Sequence, residues 1–540
     1  MKDRLSMWDR IRLFKPWPLF ILLLCLFVGF QIGYTNHFDF FWDFLNYHFY
    51  TPWAFLNNRL NYDIVPSSVN TFFNPFLELP LFFLIKNFND FPSLIYGIQG
   101  LWFGLLLFVF LKLSRLLFYQ NTKQDYAKII LAAVLASTGQ ATFFQIGSST
   151  NEVPMAFFAM TSFYFLMKWL LNPELQTGKK FFLIGCFFGI GLGMKFTLIV
   201  LCVASGMSLI VMHRYLKRPA FFIFIYFCGG LSGFLISNGY FMLKYWELYQ
   251  NPFFPFLNGF FRSEWFDFFN FNDARFRPTL ANFLYYPLLW FKDPDKIAEM
   301  FYFDYRFPIF YLFLLLSVFK VKSIKNASLQ WKTYWTFTLL GFLTWYFLFC
   351  ILRYAVVVEM LTAIPLSSIT VNAFTKLNEG KIVSNILKSS FLVILCGIFL
   401  MTPLQSIAWG RNKDKRYINV EIPAELPEKF LLKLYGFPTA GIVPVWAEKH
   451  TFRVLGYRHI NKIMMQGSDF VERGRFRAMR DEIEQQNTDP VIIAYRLPVG
   501  KNSVKILENV DLSGFACRPL KINLDDFITV CIPKEIKSPE

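Results

Sequence analysis

The chain has 540 residues, of which 55% are hydrophobic, 20% aromatic and only 17% charged, with 70 Phe and a net charge of +17. A soluble protein of this length carries about a quarter charged residues, and buried core helices do not explain ten separate apolar runs bounded by basic loops. The Lys and Arg stand in short clusters at the ends of those runs, which marks membrane topology and excludes a nucleic-acid-binding face.

The N-terminus carries Lys2, Arg4, Arg10, Arg12 and Lys15 and belongs in the cytoplasm. No small-residue cleavage site follows, so the first apolar run stays as a helix, from about Trp17 to Gly33. Residues 36–90 hold only Arg59 and Lys86 as strong cations, as an outer loop should. Within them Phe73 to Phe88 is apolar but short, and Pro75, Glu78 and Pro80 interrupt it. Such a stretch more often lies at the interface or re-enters than spans. If it crossed, Lys112, Arg115, Lys123 and Lys128 would land outside.

Helices two, three and four are expected at about Phe91–Leu111, Ile129–Ile146 and Val153–Leu171. The run Phe181 to Met212 has cations at both ends and reads as two helices turning near Lys195. Helix seven is expected at about Phe221–Met242, before an aromatic outer loop reaching about Phe307. Helix eight returns to Lys320, Lys322 and Lys325, and helices nine and ten meet outside near Arg353. Helix ten ends at Lys376 and Lys381, and helix eleven, about Phe391–Ile407, leaves outward.

The expected fold is thus an all-α polytopic membrane bundle of about eleven helices over residues 1–407. A small C-terminal soluble α/β domain, 408–540, follows on the outer side. In it Val491–Tyr495 is strand-like and Phe470–Gln486 a polar helical stretch. Six cysteines lie in apolar runs and act as small hydrophobes. Cys517 and Cys531 lie in the outer domain, where an oxidising compartment would join them.

No Walker loop, Cys-x-x-Cys pair or His-Glu-x-x-His stands in the chain. What remains is a set of ionisable residues near the outer membrane face, where charge is costly and functional. Asp43 shares a helical face with Tyr47 and the edge of His48, and reads either as a reactive carboxylate or as a helix cap. Glu152, two residues before Pro154, reads as a second acidic site or as a charge favoured by the helix dipole. Lys195, beside Gly191 and Gly193, reads as an anion-binding cation or as a snorkelling side chain. Asn272-Asp273-Ala274-Arg275, Arg306 and Arg353-Tyr354 read as phosphate ligands or as loop salt bridges.

Taken in order, these elements resemble the GT-C superfamily of membrane glycosyltransferases, which includes aminoarabinose and protein mannosyl transferases. The resemblance rests on Asp43 with Tyr47, on Asn74-Pro75 through Pro80, on Glu152 with Pro154, and on Gly191 with Lys195. It covers about the first 210 residues and extends loosely to Arg353-Tyr354. It implies a bacterial inner-membrane enzyme that moves a sugar, with inversion, from a polyprenyl-phosphate donor to a glycan, lipid or protein acceptor. Asp43 and Glu152 would be catalytic. Lys195, Arg275 and Arg353 would bind the donor phosphate, and Tyr47, His48 and Asp273 the substrate. No cofactor is required, because a lipid phosphate is already a good leaving group, although a divalent metal is compatible with the chemistry. The competing classes are a polyprenyl-linked saccharide flippase, an O-antigen ligase or polymerase, and a non-catalytic scaffold. A transporter would spread its polar residues along helix centres, whereas here they gather at the outer face.

Overall fold

The computed structural model describes residues 17–118, 122–270, 273, 275–298, 304–318, 327–375, 390, 393, 396, 397, 410–457, 474–496, 510–524 and 528–536. The N-terminal cations, the Lys320–Lys325 and Lys376–Lys381 clusters, Asn272 and most of helix eleven lie outside these residues.

The chain is a helical membrane bundle capped by a small α/β domain. Helix α1, Trp17–Asn36, leads into β1, Phe38–Asp39. The segment after β1 holds α2, Leu79–Phe88, too short to cross, before α3, Pro92–Leu117. Helix α4, Lys123–Ser137, opens on a capping box between Thr122 and Asp125. Expected helix three ran on to Ile146, but it stops at Thr138-Gly139, and a separate turn, α5, Gln140–Phe143, follows. The break has a cause: Glu359 accepts hydrogen bonds from the Ala141 and Thr142 N–H groups, so the new turn starts on a carboxylate cap.

Next come α6, Glu152–Leu171, α7, Gly178–Met194, α8, Ile199–Val211, and α9, Pro219–Tyr249. Then follow α10, Arg306–Val318, α11, Leu329–Leu348, and α12, Val356–Thr375. Five described helices are long and apolar enough to cross a membrane: α1, α3, α6, α9 and the segment Leu352–Thr375 that contains α12.

Small residues let pairs of these helices touch backbone to backbone, the usual device where lipid removes the hydrophobic drive for association. A Cβ at Gly189 of α7 would fall on the Gly230 carbonyl of α9, and one at Gly29 of α1 on the Gly100 carbonyl of α3.

The C-terminal sheet contains β3, Lys429–Tyr435, β4, Thr451–Tyr457, β5, Val491–Arg496, β6, Phe515–Pro519, and β7, Ile528–Pro533, in the order β4-β3-β5-β7-β6. Strand β3 runs parallel to β4 and β5, while β7 is antiparallel to β5 and β6. Helix α13, Gly474–Gln486, makes the crossover between β4 and β5. Cys517 and Cys531 face each other across β6 and β7 and form a disulfide with S–S 2.02 Å.

This domain is built onto the first outer loop. Gly410 and Arg411 pair antiparallel with β1, and Ile64 adds to the edge of β4 through bonds to Val454 and Gly456. Phe44, Leu45 and Tyr50 of the loop share one apolar core with Leu432, Trp446 and Val454 of the domain. Residues 39 and 410 therefore lie side by side, at the junction of the bundle and the domain.

Candidate functional site

Phe44–His48 forms a single π-turn, in which Phe49 N–H reaches back to the Phe44 carbonyl. Such turns are rare and recur at functional sites, because the extra residue re-aims the side chains around it. Here it faces Asp43, Tyr47 and His48 toward one cavity, all three buried. The Asn74-Pro75 turn is fastened across from it: Asn74 Nδ2 donates to the Gly193 and Ser237 carbonyls at 2.9 and 2.8 Å, tying the turn to the C-terminal end of α7 and to the middle of α9. Helix α7 stops at Lys195, whose backbone is extended and whose N–H reaches the Gly191 carbonyl. That stop turns the Lys195 side chain into the cavity.

The cavity encloses about 1350 Å³ and is divided by polarity. Its outer end is lined by Asp43, His48, Glu78, Lys195, Arg275 and Arg353. Its inner part runs along α7 and α9 between Phe188, Leu192, Phe224, Phe227, Leu231 and Phe234. From Asn238 to Phe224 the wall descends about 20 Å at 1.5 Å per residue.

The charges are arranged in pairs. Arg353 donates to Asp43, and its guanidinium lies over the rings of Phe40 and Tyr354 at 5.2 Å each. Lys195 Nζ stands 2.5 Å from Glu152 Oε1. Arg275 holds Asp273 through two bonds, at 2.8 and 2.6 Å. Tyr47 donates toward Asp43 Oδ2 at 3.5 Å. Burial, reinforced by the Asp43 charge, pushes the Tyr47 hydroxyl well above its ordinary value, so it stays a donor. Glu152 is buried behind Lys195 and does not itself line the cavity.

Seven of the eight residues singled out in the sequence thus border one cavity, and the eighth is held against one of the seven. Arg275 and Arg353 combine both alternatives, since each is salt-bridged and each faces the cavity. Arg306 lies elsewhere, paired with Asp304. Sequence reasoning missed Arg277, Arg496 and Phe437, which also line the cavity. Phe437 and Arg496 come from the C-terminal domain, and Phe437 meets the Trp42 ring at 6.1 Å. Nothing local in the sequence marks them, because a sheet packed onto the outer loop brings them there. Glu78 did carry a signal, as a carboxylate inside an apolar run.

Among the described residues, no three His, Cys, Asp or Glu side chains gather to hold a metal ion.

No protein-family model matches the chain, and no curated protein matches it. Among solved structures it is similar to ArnT from Cupriavidus metallidurans, crystallised bound to undecaprenyl phosphate. The two share 10% identity at a TM-score of 0.49, covering 99% of this chain and 100% of that one. A likeness at that level decides nothing about activity.

Proposed function

We propose that the protein is a membrane glycosyltransferase of the GT-C type. In this reading it transfers a pentose or hexose, with inversion, from a polyprenyl phosphate to a glycan, lipid or protein acceptor. The observation that carries it is the polarity of the cavity: a long apolar groove between α7 and α9 opens onto a chamber that holds Lys195, Arg275 and Arg353 beside buried carboxylates. The groove suits a lipid tail, and the cations suit its phosphate. Polar groups concentrated at one end suit reaction at a membrane face better than passage through the bilayer.

The acceptor hydroxyl or amine attacks the anomeric carbon in line with the departing phosphate. Asp43 takes the acceptor's proton, and Arg353 and Tyr47 hold its carboxylate in place. Negative charge growing on the lipid phosphate meets Lys195, kept on the cavity wall by Glu152, together with Arg353 and Arg275. Tyr47, His48 and Asp273 contact the substrates. The reaction takes place on the periplasmic side of a bacterial inner membrane, where the C-terminal domain closes one wall of the chamber.

Envelope glycans and lipid-linked sugars in a deletion strain test this. A polyprenyl-phosphate sugar should accumulate while one glycan substituent disappears. Unchanged glycans together with an unchanged pool of lipid-linked sugars would sink the reading.

A further inference from the structure

The polar end of the cavity holds one more pair of ionisable side chains. His48 Nδ1 lies 3.1 Å from Glu78 Oε1, and Asn151 Nδ2 donates to that same oxygen at 2.9 Å. His48 is 2% and Glu78 5% exposed, and both line the cavity. An ionised carboxylate only accepts, so Nδ1 carries the hydrogen in this contact. The other ring nitrogen, Nε2, is buried with no hydrogen-bond partner, and so is Glu78 Oε2. Buried polar atoms are nearly always satisfied, and an unmet one costs about 1–3 kcal/mol. An imidazole held by one nitrogen in the wall of a cavity, with the other nitrogen buried and unpartnered, is placed to turn that nitrogen to a ligand group.

Its position identifies the group. Asn151, bonded to Glu78, precedes Glu152, which is bonded to Lys195, so adjacent residues of one chain segment hold the pair and the cation proposed for the donor phosphate. We propose that His48, as imidazolium, hydrogen-bonds a phosphate oxygen of the lipid-linked donor through Nε2 and gives it a proton as the sugar leaves. This rests on the transfer reading above. The acceptor oxygen bonds the anomeric carbon, and its proton goes to Asp43. The bond from the anomeric carbon to the phosphate oxygen breaks, and the electron pair stays with the phosphate. The Nε2 proton moves to that phosphate, which departs as a singly charged monoester. The cavity gains one proton at Asp43 and loses one at His48.

Glu78 is the positioning residue: it sets the tautomer and balances the imidazolium. The charged and titratable groups around His48 are Glu78 before α2, Glu152 at the start of α6 and Lys195 at the end of α7. On its own turn are Tyr47, with rings 4.1 Å apart, and beyond it Asp43 with Arg353.

The test is binding of undecaprenyl phosphate to the full chain in detergent micelles, at about pH 6 and about pH 9. His48→Gln should weaken binding about tenfold at the lower pH, the worth of one charge-assisted hydrogen bond, and leave it unchanged at the higher. Glu78→Gln should reproduce part of the same pH-dependent loss. An equal loss at both pH values would mean packing only, and no loss at either would remove the contact; each overturns the proposal. Inorganic phosphate should show the same pattern only at far higher concentration, and equal potency would overturn the lipid-linked leaving group. A wild-type chain that binds no undecaprenyl phosphate would defeat the transfer reading itself, whereas binding that His48→Gln leaves intact defeats this proposal alone.

Discussion

Two buried charge clusters stand near helix ends, and they are finished differently. In the first, Glu359 of α12 accepts from the Ala141 and Thr142 N–H groups and from the Thr142 hydroxyl, at 3.0, 2.9 and 2.7 Å. Beside it Asp304 accepts from Gln140 and Arg306 N–H groups and pairs with the Arg306 guanidinium. Its carboxylates are spent on backbone, and they hold α5 and the start of α10 against α12. In the second, around the cavity, His48 Nε2, Glu78 Oε2 and Glu152 Oε2 are buried without partners. Every carboxylate oxygen of the first cluster has a donor, whereas Glu78 Oε2 and Glu152 Oε2 of the second have none, as suits a site that receives a ligand. Both contain rare buried charges, so composition cannot tell them apart.

Substitutions should separate the clusters. The largest expected effect is at Asp43. Asp43→Asn keeps the shape and should leave the protein folded, but it should slow transfer by about 10²–10⁴-fold, or roughly 3–5 kcal/mol of barrier. A variant that inserts normally and transfers at near-wild-type rate would demote Asp43 to a structural partner of Arg353 and Tyr47. Next is Lys195→Met, which strands the Glu152 carboxylate at a cost of about 3–5 kcal/mol. Adding Glu152→Gln should restore thermal stability but not undecaprenyl phosphate binding. Recovery of both would make the pair purely structural.

In the closed cluster the outcome reverses. Glu359→Gln turns an NH2 group toward backbone donors, so thermal unfolding should show a loss of about 1–3 kcal/mol. Transfer per folded molecule should stay near normal. A transfer defect larger than the stability defect would break the distinction between the clusters.

The smallest effect concerns the seam between membrane and outer domain. Burial holds the Asp39 carboxyl above the ordinary carboxylate range, against bonds from Ser149, Tyr417 and Phe40 that pull it down. The ionised form is the costly one in the fold, so its contribution is complete below the ordinary carboxylate value and is lost as pH rises through the raised one. Hydrogen exchange at Phe38–Asp39 and at Gly410–Arg411 should quicken modestly from acid toward neutral pH beyond the intrinsic rate. Asp39→Asn should flatten that trend, and an unchanged trend would assign it to another group.

Much of the bundle was legible in the chain. The apolar runs located α1, α3, α6 and α9, since a bilayer demands long stretches of one polarity. The reversal at Lys195 showed as a single cation in a run too long for one helix, and α2 showed as a run too short. Helix three was overrun by several residues because its terminator, Glu359, lies more than two hundred positions away. At the site, Asp43, Tyr47, Glu152 and Lys195 were visible because charge and polarity are costly beside lipid.

Sequence by itself determined which segments are apolar enough to enter a membrane and which ionisable residues stand at their outer ends, because both follow from local transfer free energies. Only the tertiary structure decided who meets whom: that Arg353 faces Asp43, that Glu78 and His48 form a pair, and that Phe437 and Arg496 reach the cavity from the C-terminal domain. Those meetings depend on close approach between distant elements, on glycine faces such as Gly189 against Gly230 and on Ile64 extending the sheet at β4. Contact of that kind is set by packing geometry, which no short stretch of chain encodes alone.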